Sequence, residues 1–485
     1  MKNKKIYYST LLLGMIFSFY SCTKINDFGD LNNNPNATTE PNTAALLSNV
    51  ESGLGAYVWG NGISTMGGLY AQYMSETQYT DASRYSTQNL NWGGFYSGRL
   101  YDLQNIINYN SDPATASKAA ANGANENQIG VARVLKSYIY WYLTDLYGDL
   151  PYFKALKGDG ILAYDKQDLI YTDLLKELKE ASLQLNTATK GPAGDLIYNG
   201  DVAKWKKTAN SLRLLVALRI SKKAPATAKT EFEAAVAAPG GLITSNADNF
   251  TLNFLGGNYN HPLYQYYIIT QRFDYALSKT LSDVLNSTND NRAQAYGSST
   301  KGFPYGLDRA AAVAWSAGNT DYSYVLASSK RTPSSGVVIV GAANINLALA
   351  EGANLGWAAG GTAATFYANG IQASWDQWGV SNSAAFASYL ASVVLTGSTA
   401  SDGNKIANQQ WIAYYPNGAQ GYANWRKTGI PVLTPAPGTT TGIPRRIPYG
   451  SDEANLNSAN YSAAAAGYTA GGVTNSQNAK VWWDQ

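Results

Sequence analysis

Two reactive side chains are almost missing from this 485-residue chain, which has one cysteine, Cys22, and one histidine, His261. A single cysteine allows no internal disulfide, and one cysteine with one histidine cannot build a zinc site of the Cys/His type. A serine–histidine triad would have to use His261, which Pro262 follows, and no strand–Gly-x-Ser-x-Gly–helix elbow is present. His261 reads as a satisfied loop histidine. Charge is scarce as well. Asp, Glu, Lys and Arg make up 14% of the chain, where about a quarter is usual. No Lys/Arg cluster stands in its body, so nucleic acid is excluded as a partner. There is no P-loop and no strand-associated Gly-x-Gly-x-x-Gly. Past the first 21 residues no run of 18 apolar residues occurs, so nothing there predicts a membrane span.

The amino end supplies what charge imbalance there is. The 36 bases include Lys2, Lys4 and Lys5; without them the bases equal the 33 acids, and the remaining chain is nominally neutral. Those lysines precede a largely apolar stretch from Ile6 to Tyr20, too short to span a bilayer and shaped like a signal peptide. Small Ser21 then precedes Cys22. That position predicts a bacterial lipoprotein cysteine, cleaved on its amino side and lipidated, although Phe19 stands where such signals usually carry leucine. Several acyl chains, at about 0.8 kcal/mol per buried methylene, give a stable anchor. The predicted division is a signal peptide over 1–21, the lipidated cysteine with an Asn- and Pro-rich tether over 22–45, and one binding domain over 46–485.

Periodicity predicts a mainly helical domain. Leu46, Leu47, Val50 and Leu54 recur at three- and four-residue spacing. Long amphipathic helices are expected over 127–147, ended by Gly148 with Pro151 beyond, over 166–185, and over 202–221 with Asp201 as N-cap. Shorter ones are expected over 226–237, 276–286, 342–358, 361–378 and 382–394. Consecutive helices with short links suggest helix pairs of the tetratricopeptide kind, without a fixed 34-residue self-similarity. The middle, 243–275 and 296–340, has no clean period. Residues 429–485 are rich in Pro and Gly yet hold Trp482 and Trp483, so they should pack on the domain as long loops.

An ordered set of motifs resembles the SusD/RagB family, in particular its SusD-like branch from Bacteroidetes outer membranes. Cys22-Thr-Lys-Ile-Asn-Asp-Phe with Asn32-Asn-Asn-Pro-Asn is similar to that branch's opening. Asp145-Leu-Tyr-Gly-Asp-Leu-Pro resembles its turn after a long helix. Asp195-Leu-Ile-Tyr-Asn-Gly-Asp-Val-Ala-Lys-Trp resembles the start of its next helix pair. Further similarities are Phe366-Tyr-Ala-Asn-Gly-Ile, Gln410-Trp-Ile-Ala, Trp425-Arg-Lys-Thr-Gly, Arg445-Arg-Ile-Pro-Tyr with Glu453 and Asn457, and the closing Val481-Trp-Trp-Asp. Two places depart from the pattern: Asn289-Asp-Asn-Arg and Asn344-Ile-Asn-Leu. The apolar spacing of a core helix survives in the second.

The resemblance implies an all-α, tetratricopeptide-like scaffold with long irregular loops, placed on the outer face of the outer membrane. It implies a SusC-like TonB-dependent transporter as partner, capped as by a lid, and oligosaccharides or other oligomers as ligands. No catalysis and no cofactor beyond the lipid on Cys22 are expected, while a structural calcium site built from backbone and Asp/Asn oxygens is left open. A peptide-binding member of the same transport system and a surface glycoside hydrolase are the alternatives, the latter because hydrolysis needs only two carboxylates. Most acids, such as Asp173, Glu177 and Glu180, lie on polar helix faces and read as solvated.

Neutral sugars stack on aromatic rings and hydrogen-bond to polar side chains, and this chain has 36 Tyr and 12 Trp. Tyr70, Tyr73, Tyr96 and Tyr101 sit among apolar residues at helical spacing and read as core. Tyr79, Tyr85 and Trp92, with Arg84 interleaved, lie in a polar stretch and are the ligand-contact candidates, followed by Tyr305 and Trp315 in the irregular middle. No metal ligand is expected.

Overall fold

The computed structural model describes residues 40–158 and 160–485. Cys22 and the predicted signal peptide lie outside them. Thr43–Gln485 forms one compact unit. The first helix, which carries the Leu46–Leu54 spacing and was expected from about 42, begins at Thr43, whose buried hydroxyl donates to Gln128 at 2.6 Å. The longer helices are α1 (Thr43–Ser52), α2 (Gly62–Tyr70), α3 (Tyr101–Ser111), α4 (Asn125–Tyr147), α5 (Gln167–Gln184), α6 (Val202–Arg219), α7 (Pro225–Val236) and α8 (Lys279–Ser287). They continue as α9 (Arg309–Gly318), α10 (Ala342–Asn354), α11 (Ala363–Trp378), α12 (Ser383–Ser392), α13 (Thr399–Tyr414), α14 (Gly418–Thr428), α15 (Ser451–Leu456) and α16 (Ser458–Ala466).

From α3 to α7 each helix packs on its successor, as do α10 with α11 and α13 with α14. This is the helix-pair scaffold. Local chemistry sets the pairs. Gly148, at φ +92°, ends α4 in a conformation a side chain would strain. Asp149 then accepts from the Gln167 N–H at 3.0 Å and from Lys166 Nζ at 2.8 Å, docking the start of α5. Before α6, the buried Asp195 carboxylate accepts from the N–H groups of Ile197, Tyr198 and Gly200 and from Trp205 Nε1. Asp201 caps α6 through Ala203 and Lys204, as predicted. Each of these acids ties down the turn before a helix.

The long helix expectations agree with the structure to within two residues at each end. Others need correction. Residues 276 and 277 belong to a strand, and α8 starts at Lys279. Helix α9 lies inside a stretch read as irregular, and α15 and α16 lie inside the Pro- and Gly-rich tail. Glu177 and Glu180 are not free on a solvated face: Arg133 holds Glu177 through Nε and Nη2 at 2.9 Å each and reaches Glu180 at 2.6 Å. Asp173 accepts from the Tyr152 hydroxyl.

Four short strands form two antiparallel pairs among the described residues. They are β1 (Met74–Glu76), β2 (Phe250–Asn253), β3 (Tyr275–Leu277) and β4 (Gly336–Val340). β1 pairs with β3 in the register Met74↔Leu277, and β2 pairs with β4. The core also takes in charge. Arg292 and Asp290 are fully buried together, and Arg292 donates onward to Gln409, Tyr389 and Ser374. The departure at Asn289-Asp-Asn-Arg therefore keeps the Asp and Arg that this network uses. At the far end Trp483 is buried, with the guanidinium groups of Arg219 and Arg426 stacked on its ring at 5.2 and 4.6 Å, and Asp484 pairs with Arg445.

Candidate functional site

Backbone pairing gathers four distant segments on one face. β1 leads into Tyr79, and the β1–β3 pair places residues 272–274 beside it: the Thr77 N–H donates to the Asp274 carbonyl and its hydroxyl to that of Phe273. β3 then laces to two more segments. The Leu277 N–H donates to Ser323 O, and Leu277 O accepts from the Phe303 N–H, both at 2.8 Å. Tyr79, Phe273, Phe303 and Tyr322–Tyr324 are thereby held by main-chain bonds and not by flexible loops alone.

The side chains of these segments make a strip of rings. Phe273 lies 5.4 Å from Tyr324, Tyr324 5.5 Å from Tyr322, and Tyr322 6.1 Å from Trp315 on α9. Phe303 buries itself under the far end, 4.6 Å from Trp315 and 5.2 Å from Tyr322, and fixes both rings. Phe273 is 41% exposed and Tyr79 53% exposed, whereas Tyr322, Tyr324 and Trp315 are half-buried. Half-burial suits a stacking platform: one side of a ring packs and the other faces water. Cations border the strip. The Arg309 guanidinium sits 5.4 Å from the Tyr79 ring centroid, and Lys301 Nζ sits 5.7 Å from that of Trp315. Neighbouring acids are engaged within the protein. Asp274 accepts from Tyr266, Arg272 and Gln78, Asp308 caps α9, and Asp321 pairs with Lys301.

The structure brings two of the six sequence candidates, Tyr79 and Trp315, to this face. Arg84 donates to Gly306 O and Pro437 O at 2.9 Å each. Tyr305 is half-buried with its hydroxyl shut off from water. Tyr85 and Trp92 lie in the interior. Tyr85 is 4% exposed; its hydroxyl accepts from the Ala436 N–H, and residues from the carboxyl third cover it. Trp92 is 3% exposed, enclosed by Tyr147, Tyr164 and Tyr449 at 4.8, 5.6 and 5.2 Å, and cannot stack a sugar in this conformation. Tyr101, read as core, is 47% exposed, whereas Tyr70 and Tyr73 are buried as expected.

Beneath the strip, burial pushes the Glu76 carboxyl up to about 7, against two hydrogen bonds from Ser83 that favour its charged form. His261 is the satisfied loop histidine expected. Its Nδ1 accepts from the Leu263 N–H, and burial with Arg331 nearby lowers its pKa to about 4. Among the described residues no group of three or more His, Cys, Asp or Glu side chains could hold a metal ion, and no helix is long and apolar enough to cross a membrane. Sequence reasoning passed over Phe273, Tyr322, Tyr324 and Arg309. The rings carried a signal of alternation: Phe273 with Tyr275 across Asp274, and Tyr322 with Tyr324 across Ser323, are spaced two apart, as a strand would space them.

A family model described as starch-binding and associating with the outer membrane matches residues 35–450. No curated protein matches the chain. Among solved structures, a chitin-binding protein is 30% identical with a TM-score of 0.77, covering 91% of this chain and all of its own. A SusD homolog from Bacteroides uniformis is 26% identical with a TM-score of 0.75, covering 91% of this chain and 99% of its own. A chitin-binding SusD homolog from Flavobacterium johnsoniae has the same fold at 24% identity, with a TM-score of 0.73 and coverage of 91% and 98%.

Proposed function

Because this chain belongs to the SusD-like family of starch-binding proteins associating with the outer membrane, we propose that it captures neutral oligosaccharides at the cell surface and passes them, uncleaved, to a SusC-like TonB-dependent transporter. The lipid on Cys22 holds it to the outer membrane. The observation that carries the reading is the strip Phe273–Tyr324–Tyr322–Trp315, with Tyr79 alongside. Rings in line accept the CH faces of successive sugars, while tyrosine hydroxyls and the bordering cations hydrogen-bond to their oxygens. The engaged state of Asp274, Asp308 and Asp321 favours capture over hydrolysis, which needs a free acid and a free base or nucleophile. The 30%-identical chitin-binding relative makes β-linked N-acetylglucosamine oligomers the first ligand to try.

The test is calorimetric titration of the mature chain with chitin and starch oligomers and with peptides, followed by mass spectrometry of the recovered ligand. An intact bound oligosaccharide is expected. A shortened one would turn the protein into a hydrolase, and binding of peptides alone would move it to the peptide branch of the transport system.

A further inference from the structure

A cavity of about 1080 Å³ opens on the other side of the segment that carries the strip. The short turns Pro262–Tyr264 and Gln265–Ile269 separate the two. Tyr267 faces the strip, 6.0 Å from Phe273 and 5.2 Å from Tyr324, while Gln265 and Ile269 line the cavity. Its opposite wall is α1, through Ser48, Asn49 and Ser52.

Among the described residues no Asp, Glu, Lys or Arg lines this cavity. Its polar groups are amides and hydroxyls, and its apolar groups include Leu252, Phe254 and Leu255. Gly256 and Gly257, at φ +77° and +63°, make a tight turn closed by paired main-chain bonds between Gly256 and Tyr259. That turn holds Tyr259 and Leu255 at the mouth, 64% and 81% exposed. The side chains of Asn253, Asn258 and Tyr259 make no hydrogen bond to another described residue, and all three line the cavity. An uncharged wall excludes ions as favoured guests, since nothing there repays their desolvation. Free amides beside apolar side chains and an exposed tyrosine suit a guest with many hydroxyls and apolar faces. The volume is just above the roughly 300–1000 Å³ range of small-molecule sites.

We infer that this cavity is a second glycan subsite, taking a short neutral oligosaccharide with Tyr259 as its stacking ring and Asn253, Asn258 and Gln265 as its hydrogen-bonding groups. The inference rests on the glycan-capture reading and extends it: one molecule engages sugar on both sides of the 262–269 segment.

Calorimetry of the mature chain with chitohexaose, and separately with maltohexaose, tests it on the wild type and on Tyr259→Ala and Trp315→Ala. Tyr259 makes no ring contact with another described aromatic side chain and is largely exposed, so its loss should leave the fold intact. Two classes of site are expected in the wild type. Tyr259→Ala should weaken one class by about tenfold or more and leave the other unchanged; Trp315→Ala should do the reverse. A single class that Trp315→Ala removes and Tyr259→Ala leaves alone overturns the second subsite while sparing the strip. Absence of binding by the wild type with both hexasaccharides overturns the two together.

Discussion

The indole N–H of Trp92 donates to the Glu453 carboxylate at 3.0 Å, across 361 residues of chain. Glu453 also accepts from the Tyr164 hydroxyl, and Asn457 on the next turn donates to Leu162 O. Arg446 stacks on Tyr449 and Tyr468 and donates to Tyr147 O through Nε and Nη2. The motif Arg445-Arg-Ile-Pro-Tyr with Glu453 and Asn457 is thus a clasp that closes the carboxyl third over the end of α4.

Trp92→Ala should therefore act on stability and not directly on ligand binding. Removing a buried tryptophan costs about 3–5 kcal/mol, and Glu453 would lose a partner. Denaturant titration should show a lowered midpoint for Trp92→Ala, with Trp92→Phe partly restoring it. A midpoint equal to the wild type would mean that the ring is not enclosed.

Tyr79→Ala should do the opposite. The ring is half exposed and pairs mainly with Arg309, so the fold should be unchanged. Loss of one stacking ring should weaken oligosaccharide binding by about 1 kcal/mol, roughly fivefold. Calorimetry reads it; unchanged affinity would remove Tyr79 from the site.

Glu76 and His261 oppose each other in their effect of pH on stability. The Glu76 pKa rises on folding from 4.5 to about 7, so its contribution is fully present below pH 4.5 and lost as pH rises through 7. The His261 pKa falls on folding from 6.5 to about 4, so its contribution is present above pH 6.5 and lost as pH falls through 4. In the shared window their slopes have opposite signs. Relative to the wild type, Glu76→Gln should tilt the stability curve upward with pH between 4.5 and 7, and His261→Gln should tilt it downward between pH 4 and 6.5. Denaturation midpoints of both variants across that range check the signs; parallel curves would refute them.

Cys22→Ala should release the protein from membranes in cells that lack the partner transporter. Persistent sedimentation of the variant with the membrane fraction would count against lipidation.

Asp290→Ala strips the buried Arg292 of its only carboxylate among the described residues. An uncompensated buried charge costs about 3–5 kcal/mol, so the thermal midpoint should drop steeply. Replacing both partners with apolar residues of similar volume should cost much less.

The helical scaffold was legible because its signals are local. Leu174, Leu175 and Leu178 repeat on one face of α5, Asp201 caps α6, and Gly148 ends α4. The site was only half legible. Ser, Thr, Gln and Asn around Tyr85 and Trp92 suggested a wet loop, but the residues that cover those rings come from far along the chain, Tyr147 and Tyr164 first and Ala436, Tyr449 and Glu453 more than 300 positions later. The strip stayed hidden for the same reason. What aligns Phe273, Tyr322 and Trp315 is main-chain pairing of β3 with residues near 303 and 323, which leaves no local period.

Trp483 wedged against Arg219 and Arg426 also fixes an order of events. A chain delivered amino end first brings α4 and α6 into place long before residue 483 emerges. Until then Arg219, in a salt bridge with the buried Asp145, faces a gap where an indole belongs. Trp483 and Asp484 thus act as a closing plug: removing the last three residues takes away the indole on which Arg219 and Arg426 stack and the carboxylate that Arg445 holds, and should leave the domain protease-sensitive.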